Sequence, residues 1–417
     1  MFDVVGIGLN AIDYLVRLPR FPVPGEKLRM SAFAREGGGQ AATALVALSR
    51  WGCRCKYVGN VGDDEHGRLS SLLLSREGVD LAHVRTVPGA SSQFAVILVE
   101  EGTGERTILW DRDPRIRVSP EDLPLDEIRR ARALLLDGHD VPPSIAAARA
   151  ARTAGIPVVL DAEKVQEGTE ELLSLCDHIV AAGHFPGLLI PGASAEDGAR
   201  EILRRYAPRT STVTLGPRGA FGCDGREEVF SPSIHVEAVD TTGAGDIFHA
   251  GFLYALLGGL PFREILAFAN TAAGLSCRGL GGRAAIPAME AIREAGASRN
   301  PPDRPFPFRQ GAAPERFRAR SIAARGMVEW AYLDQRKEAD MAIEKTIRKK
   351  IGAVEGQLAR RVGSLEKDVT RLMKKLEKKE NEVRKLKDKL TSRLVKNVKK
   401  KVKKAKKAVK KRLPGIG

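Results

Sequence analysis

Short β-branched runs alternate with segments of helical period through residues 1–300. Val4–Ile7, Tyr57–Val61, Ala133–Leu136, Val158–Leu160, His178–Val180 and Thr212–Thr214 are the strand-like runs. The helical segments are Ala41–Trp51, Gly67–Glu77, Pro143–Ala154, Ala195–Tyr206, Ile247–Leu257 and Pro261–Arg278. Several are followed by glycine, which tolerates the left-handed backbone that stops a helix. Apolar strands separated by helices long enough to cross back spell a parallel sheet, so the expected fold class is α/β. Two further stretches, around Tyr14–Phe33 and Gln93–Asp111, alternate as strands with no helix between them. They read as a small sheet outside the main one, a lid spanning residues 12–35 and 92–113.

The pattern changes after residue 299. Asn300–Pro314 packs five prolines among charged and small residues and reads as a linker, extended here to residues 300–325. Beyond it, apolar residues recur at alternating steps of three and four. Val362, Val369, Leu376, Val383 and Leu390 fall at heptad position a, and Leu365, Leu372 and Leu386 at d, with Lys379 the polar d. A β-branched a with Leu at d leans toward a parallel two-stranded coiled coil; a single solvated basic helix is the alternative. The chain therefore reads as a globular domain over 1–299 and a helical tail over 326–417.

Charge separates the same two parts. Residues 1–310 hold 34 Lys+Arg against 39 Asp+Glu, net −5, and the remaining 107 residues hold 34 against 13, net +21. Only Lys27, Lys56 and Lys164 precede residue 311. The overall +16 is thus no argument for a nucleic-acid-binding face on the globular part. The tail alone has the field to meet a polyanion: nucleic acid, polyphosphate or an anionic membrane surface.

Cys53, Cys55, Cys176, Cys223 and Cys277 are odd in number and scattered, without a C-x-x-C pair, so neither a disulfide framework nor a zinc site is expected. Reduced thiols and the absence of an export signal at the N-terminus fit a cytoplasmic location. The longest apolar stretch, Ile247 to Leu260, falls short of the ~20 residues a membrane helix needs.

The chemistry concentrates in Asp240-Thr241-Thr242-Gly243-Ala244-Gly245-Asp246-Ile247-Phe248-His249-Ala250-Gly251. A Gly-Ala-Gly turn leading straight into an apolar helix leaves unobstructed backbone N–H groups at the helix N-terminus, which is an anion site suited to phosphate. Asp246 falls in the first turn of that helix. There it can accept a proton from an attacking hydroxyl, or simply complement the helix dipole.

This dodecapeptide resembles the C-terminal signature of the ribokinase-like, PfkB-type carbohydrate kinases, D-T-x-G-A-G-D-x-F-x-A-G, at every defined position. The resemblance runs in order through residues 1–295. It takes in Gly8-Leu9-Asn10-Ala11-Ile12-Asp13, Pro24-Gly25-Glu26, the di-glycine Gly38-Gly39, Val58 to Asp64 with Gly67, and Thr214-Leu215-Gly216-Pro217-Arg218-Gly219. It implies a mostly parallel central sheet flanked by helices, a β-lid over the sugar, and transfer of the γ-phosphoryl group of ATP, with Mg2+, to a sugar hydroxyl. Asp246 is then the base, and Gly243, Ala244 and Gly245 hold charge on the phosphoryl group. Asp13 and Asn10 would bind sugar hydroxyls, with Gly38, Gly39, Gln40 and Thr43 beside them. Thr214, Gly216, Gly219 and Asn270 would line the nucleotide site. Asp240 and Gly282 match a monovalent-cation site, K+ in several relatives; Asp240 could equally serve only to satisfy backbone amides. Dimers through the lid or the coiled coil would suit such a chain. Two rival functions fit the same residues: a nucleoside kinase of this fold, and a polyanion-binding scaffold with a weakened kinase domain.

Departures bear on substrate and metal. Gln40 and Thr43 stand where the family often has Asn or Lys and then Asn. The N-x-x-E element that orders the magnesium-phosphate network should follow Cys176–Val180, but Ala182 and Phe185 occupy its positions. Asp161-Ala162-Glu163-Lys164 followed by Glu170-Glu171-Leu172 looks more like the ketohexokinase-like branch, which leans the substrate toward a ketose. His249 fills a variable motif position and reads as packed, and Arg112, Arg115 and Arg117 read as surface charge.

Overall fold

The computed structural model describes Met1–Ala297, and the proposed linker and coiled-coil tail lie outside the described residues. The chain divides into two units, Met1–Arg316 and Phe317–Gly417. Thirteen strands are described: β1 Val4–Ile7, β2 Ala11–Leu18, β3 Ala32–Gly38, β4 Cys55–Gly62, β5 Asp80–Val87, β6 Phe94–Glu100, β7 Arg106–Asp111, β8 Ala133–Leu136, β9 Val158–Ala162, β10 His178–Ala182, β11 Thr210–Thr214, β12 Ala220–Cys223 and β13 Glu228–Ser231. The helices are α1 Gln40–Arg50, α2 Glu65–Arg76, α3 Leu125–Arg129, α4 Val141–Thr153, α5 Thr169–Leu175, α6 Phe185–Leu189, α7 Ala195–Tyr206, α8 Ala244–Leu257, α9 Phe262–Ser276 and α10 Met289–Ala297. Each of the expected strands and helices has its counterpart here, with ends moved by a few residues.

The main sheet has the order β13-β12-β11-β10-β9-β8-β1-β4-β5. Its pairs are parallel from β11 through β5, and only the β11–β12 and β12–β13 pairs at one edge are antiparallel, so β12 alone runs against the rest. Strand alternation sends side chains to two cores. Val4, Leu135, Val159 and Val180 pack with Leu45, Phe252 and Leu266 of α1, α8 and α9. Val5, Ile7, Leu134, Leu136 and Ile179 pack on the other face with Ala147, Leu172 and Ile202 of α4, α5 and α7. Because both faces are covered, the central strands read as continuous apolar runs rather than alternating ones. Chain order reverses at β1, which lies between β4 and β8, and the crevice beyond the carboxyl ends of strands at such a reversal is where α/β sheets bind ligands.

The second sheet, β3-β2-β6-β7, is the expected lid. Its inner face sets Leu15, Ala95, Ile97 and Val99 against Ala34 and Leu280. Tyr14, Phe33 and Phe94 lie together on the other face, and Phe33 is exposed. Among the described residues no helix is long and apolar enough to cross a membrane. All five cysteines are buried and free.

Candidate active site

The signature run folds as its composition dictates. Gly243 caps α8 with φ 75° and ψ −1°, a left-handed conformation that favours glycine. Its open face packs on Gly282, where a Cβ would come within 2.6 Å of the Gly282 Cα. Gly245 is exposed, with nothing within 4 Å of the space a Cβ would take. The start of α8 is therefore unobstructed at Gly245, while the Ala244 amide closes the turn onto the Thr241 carbonyl at 3.2 Å. Asp246 stands half-buried in the same turn. Desolvation raises its carboxyl well above the usual range, and Asp161 and Asp13 push the same way against His249 and Arg106.

Asp13 comes in from β2, directly opposite Glu36 of β3. It is buried, and desolvation lifts its carboxyl to about 6; Arg283 pulls against that rise while Glu36 and Asp240 add to it. Gly38 is required beside it, because any Cβ there would overlap the Asp13 carboxylate. Gly39, at φ 91°, caps α1 and leaves only 2.5 Å between a Cβ and the Leu9 carbonyl oxygen. Asn10 follows β1, is 7% exposed, and both polar atoms of its side-chain amide lack a partner. A buried amide left unsatisfied by the protein is a group awaiting a ligand or water. Asn10 also lines a recess with Gln93, Tyr57, Asn60 and Arg112, and the Gln93 side-chain oxygen is likewise buried and unpartnered.

Gln40 and Thr43 are already engaged by protein groups. Gln40 Nε2 donates to Asp161 Oδ2 at 3.1 Å, and Gln40 Oε1 lies 2.6 Å from His139 Nε2. Thr43 Oγ1 accepts from Arg283 Nε at 3.2 Å. On the nucleotide side, Thr214 ends β11, Gly216 takes φ 58° with open space around it, and Gly219 turns at φ 107° against the Ser231 carbonyl. Asn270 Nδ2 donates to that same carbonyl at 2.8 Å, so this side chain holds the β13 end in place.

Of the two readings of Asp240, the geometry displays the amide one. Its carboxylate is fully buried and accepts from Thr242 N and Gly281 N, both at 2.8 Å. Phe185, where the family glutamate was sought, is a core side chain at 0% exposure. Among the described residues no three His, Cys, Asp or Glu side chains group as a metal site. His249 is packed as expected: Nδ1 lies 2.7 Å from the Gly245 carbonyl and Nε2 3.2 Å from that of Val180. Arg112 corrects the surface reading, since its guanidinium is largely buried and bonds both Asp140 oxygens at 3.0 and 2.7 Å.

Sequence reasoning passed over four groups that the fold brings to the cleft. Asp161 ends β9 within 3.4 Å of His249, and burial with Asp137 and Glu163 nearby raises its carboxyl well above the usual range. Arg106 of the lid donates to Thr241 Oγ1 at 2.8 Å. Gly37 and Arg283 meet at the edge of β3, where any Cβ on Gly37 would overlap the Arg283 guanidinium. Only Asp161 had an available signal, its place at the carboxyl end of a parallel strand.

The description "pfkB family carbohydrate kinase" matches residues 1–289. A ribokinase of Haemophilus influenzae is 29% identical over 294 residues, 69% of this chain and 95% of that protein. An ATP-dependent ribose-1-phosphate kinase of Halopiger xanaduensis is also 29% identical over 294 residues, 70% of this chain and 97% of its own. Among solved structures, a ribokinase candidate from Agrobacterium tumefaciens is similar with a TM-score of 0.68 at 30% identity, covering 71% of this chain and 98% of its own. Arabidopsis thaliana ribokinase, complexed with ribose and ATP, is similar with a TM-score of 0.60 at 25% identity over 71% and 98%. These relatives lend no support to the lean toward a ketohexokinase-like branch. The signature turn, the lid that carries Asp13 and the match over residues 1–289 have one reading: the chain belongs to the pfkB family of carbohydrate kinases, phosphotransferases that act on a sugar hydroxyl.

Proposed function

We propose that this chain is an ATP-dependent sugar kinase in which Asp246 takes the proton of the acceptor hydroxyl as the γ-phosphoryl group is transferred. The observation that carries the reading is the Gly243–Gly245 turn, where a left-handed Gly243 and an exposed, unobstructed Gly245 stand on one helix end with the first-turn carboxylate of Asp246. The amides hold charge that grows on the transferred group, and the carboxylate activates the nucleophile beside it. A carboxylate raised by a dry site is a stronger base than one in water, and Arg106 and His249 offset part of that rise. Asp13 accepts from sugar hydroxyls, and the unpartnered Asn10 amide can both donate and accept. Thr214, Gly216 and Gly219 are the groups for the nucleotide.

A magnesium ion that travels on nucleotide phosphates needs few protein ligands, and Asp161 of β9 is the carboxylate beside the turn that would help hold it, leaving Asp246 free to take the proton. When bound, the ion neutralises charge on the β- and γ-phosphates. The family relatives make ribose the first sugar to try. A second copy covering the Tyr14, Phe33 and Phe94 face would give a lid dimer, and the +21 of residues 311–417 would hold a polyanion.

The test is ADP release from ATP and magnesium against free pentoses, ketoses, sugar phosphates and nucleosides, with Asp246→Asn run alongside. A free sugar turned over by the parent and not by the variant is the expected result. Turnover of nucleosides alone would make this a nucleoside kinase, and silence across the panel with ATP still bound would favour the scaffold.

A further inference from the structure

Arg283 sits in the loop after the signature helices, where no motif gives it a role. It is 5% exposed. Its Nε donates to Thr43 Oγ1 at 3.2 Å and its Nη2 to the Gly38 carbonyl at 2.6 Å. Nη1 is enclosed and has no partner. The loop itself is fastened to the end of α1: Arg50 Nη1 donates to the Arg283 carbonyl at 2.8 Å, and Trp51 Nε1 to the Pro287 carbonyl at 2.9 Å.

The glycines of β3 show what this guanidinium presses on. Gly37 is bare on the side that Arg283 Nη1 occupies, and Gly38 is bare on the side that the Asp13 carboxylate occupies. Neighbouring strand residues face opposite ways, so the edge of β3 is held between Arg283 and Asp13. Acidic groups outnumber the cations there. Asp13 feels Glu36 and Asp240 as well as Arg283, and Arg283 in turn feels Asp13, Asp246 and Glu77, with Arg50 opposing them.

We propose that Arg283 is a positioning residue for sugar recognition: it clamps the Gly37–Gly38 edge of the lid to Thr43 of α1, and so fixes the strand edge against which the Asp13 carboxylate packs where sugar hydroxyls bind. The proposal rests on the sugar-kinase reading. It explains a buried arginine whose removal would leave a buried carboxylate facing other carboxylates. It places the larger effect on sugar binding, because the bonds of Arg283 go to Thr43 and Gly38 beside Asp13.

The experiment compares Arg283→Met, Arg283→Lys, Asp13→Asn and the Asp13→Asn/Arg283→Met double variant with the full chain. Arg283→Met should raise KM for the sugar by roughly tenfold or more while kcat stays within about threefold. Arg283→Lys keeps the charge but cannot serve Thr43 and Gly38 together, so its KM should lie between the two. In the Asp13→Asn background, Arg283→Met should add little further to KM. An unchanged KM in Arg283→Met, or effects of the two substitutions that multiply, would overturn the clamp. Melting temperatures of the same four variants give a readout that needs no turnover. The double variant should lose less than the two single losses together, because each single variant strands a buried charge. Additive losses would overturn the proposal even if the parent phosphorylates no sugar, an outcome that by itself would refute only the kinase reading. Should Arg283→Met fail to fold, Arg283→Lys decides: a raised KM at parental kcat upholds the clamp, and parental KM refutes it.

Discussion

Asp246 is asked to be a carboxylate in a place that resists charge. Its carboxyl is raised well above the ordinary range by burial and by Asp161. A carboxyl raised in the folded state contributes stability below the ordinary carboxylate pKa and loses it as pH climbs through the raised value. Asp246→Asn should therefore melt higher than the parent at pH 8, with the gap closing toward pH 4, while kcat falls on the order of 10²- to 10⁴-fold. Thermal melts across pH and steady-state rates check the two halves separately. Asp13 gives a second pH signature. With its carboxyl at about 6, kcat/KM for the sugar should fall below that pH by about tenfold per unit, because hydroxyl binding uses the ionised form. Flat kcat/KM from pH 5 to 8 would deny Asp13 that role.

At the level of elements, the turn before α8 depends on two glycine backbones that touch. Gly243→Ala would place a side chain at φ 75° and 2.6 Å from the Gly282 Cα, a cost of about 1–3 kcal/mol for the backbone alone. The expected outcome is a lower melting temperature together with lost turnover, since the anion turn and the loop carrying Arg283 shift as one. The alternation of strands and helices was legible because each crossover is a local pattern: Val4–Ile7, Ala133–Leu136 and Ala195–Tyr206 have the same ends in the sequence reading and in the fold. The Gly-Ala-Gly turn was legible for the same reason. The Arg283 clamp was not, because its partners Thr43 and Gly38 lie 240 and 245 residues away in sequence. Nor was the burial of Arg112, which depends on Asp140 at the mouth of α4 and not on its arginine-rich neighbours. Phe185 illustrates the converse: a position sought for its chemistry is spent on the core.

Across the whole catalytic unit, strand β7 of the lid is tied to the body by an arginine at each end. Arg112 joins the end of β7 to Asp140, and Arg106 joins the start of β7 to the signature run through Thr241. Arg112→Ala leaves Asp140 buried and unpaired, a loss of roughly 3–5 kcal/mol, which should appear as a lower melting temperature and a raised KM for the sugar. A parental melting temperature would show that the pair contributes nothing to docking of the lid. The same strand β7 carries Trp110, 58% exposed, with the Lys164 ammonium 5.0 Å over its ring, whereas Trp51 is buried against Tyr254 and Phe268. One indole is thus set in the core and another at the exposed rim beside a cation, and the third, Trp330, lies outside the described residues. The protein thus carries its own optical gauge: a change in the distance between rim and body would alter the emission of Trp110, read with Trp330 replaced by Phe and no label attached.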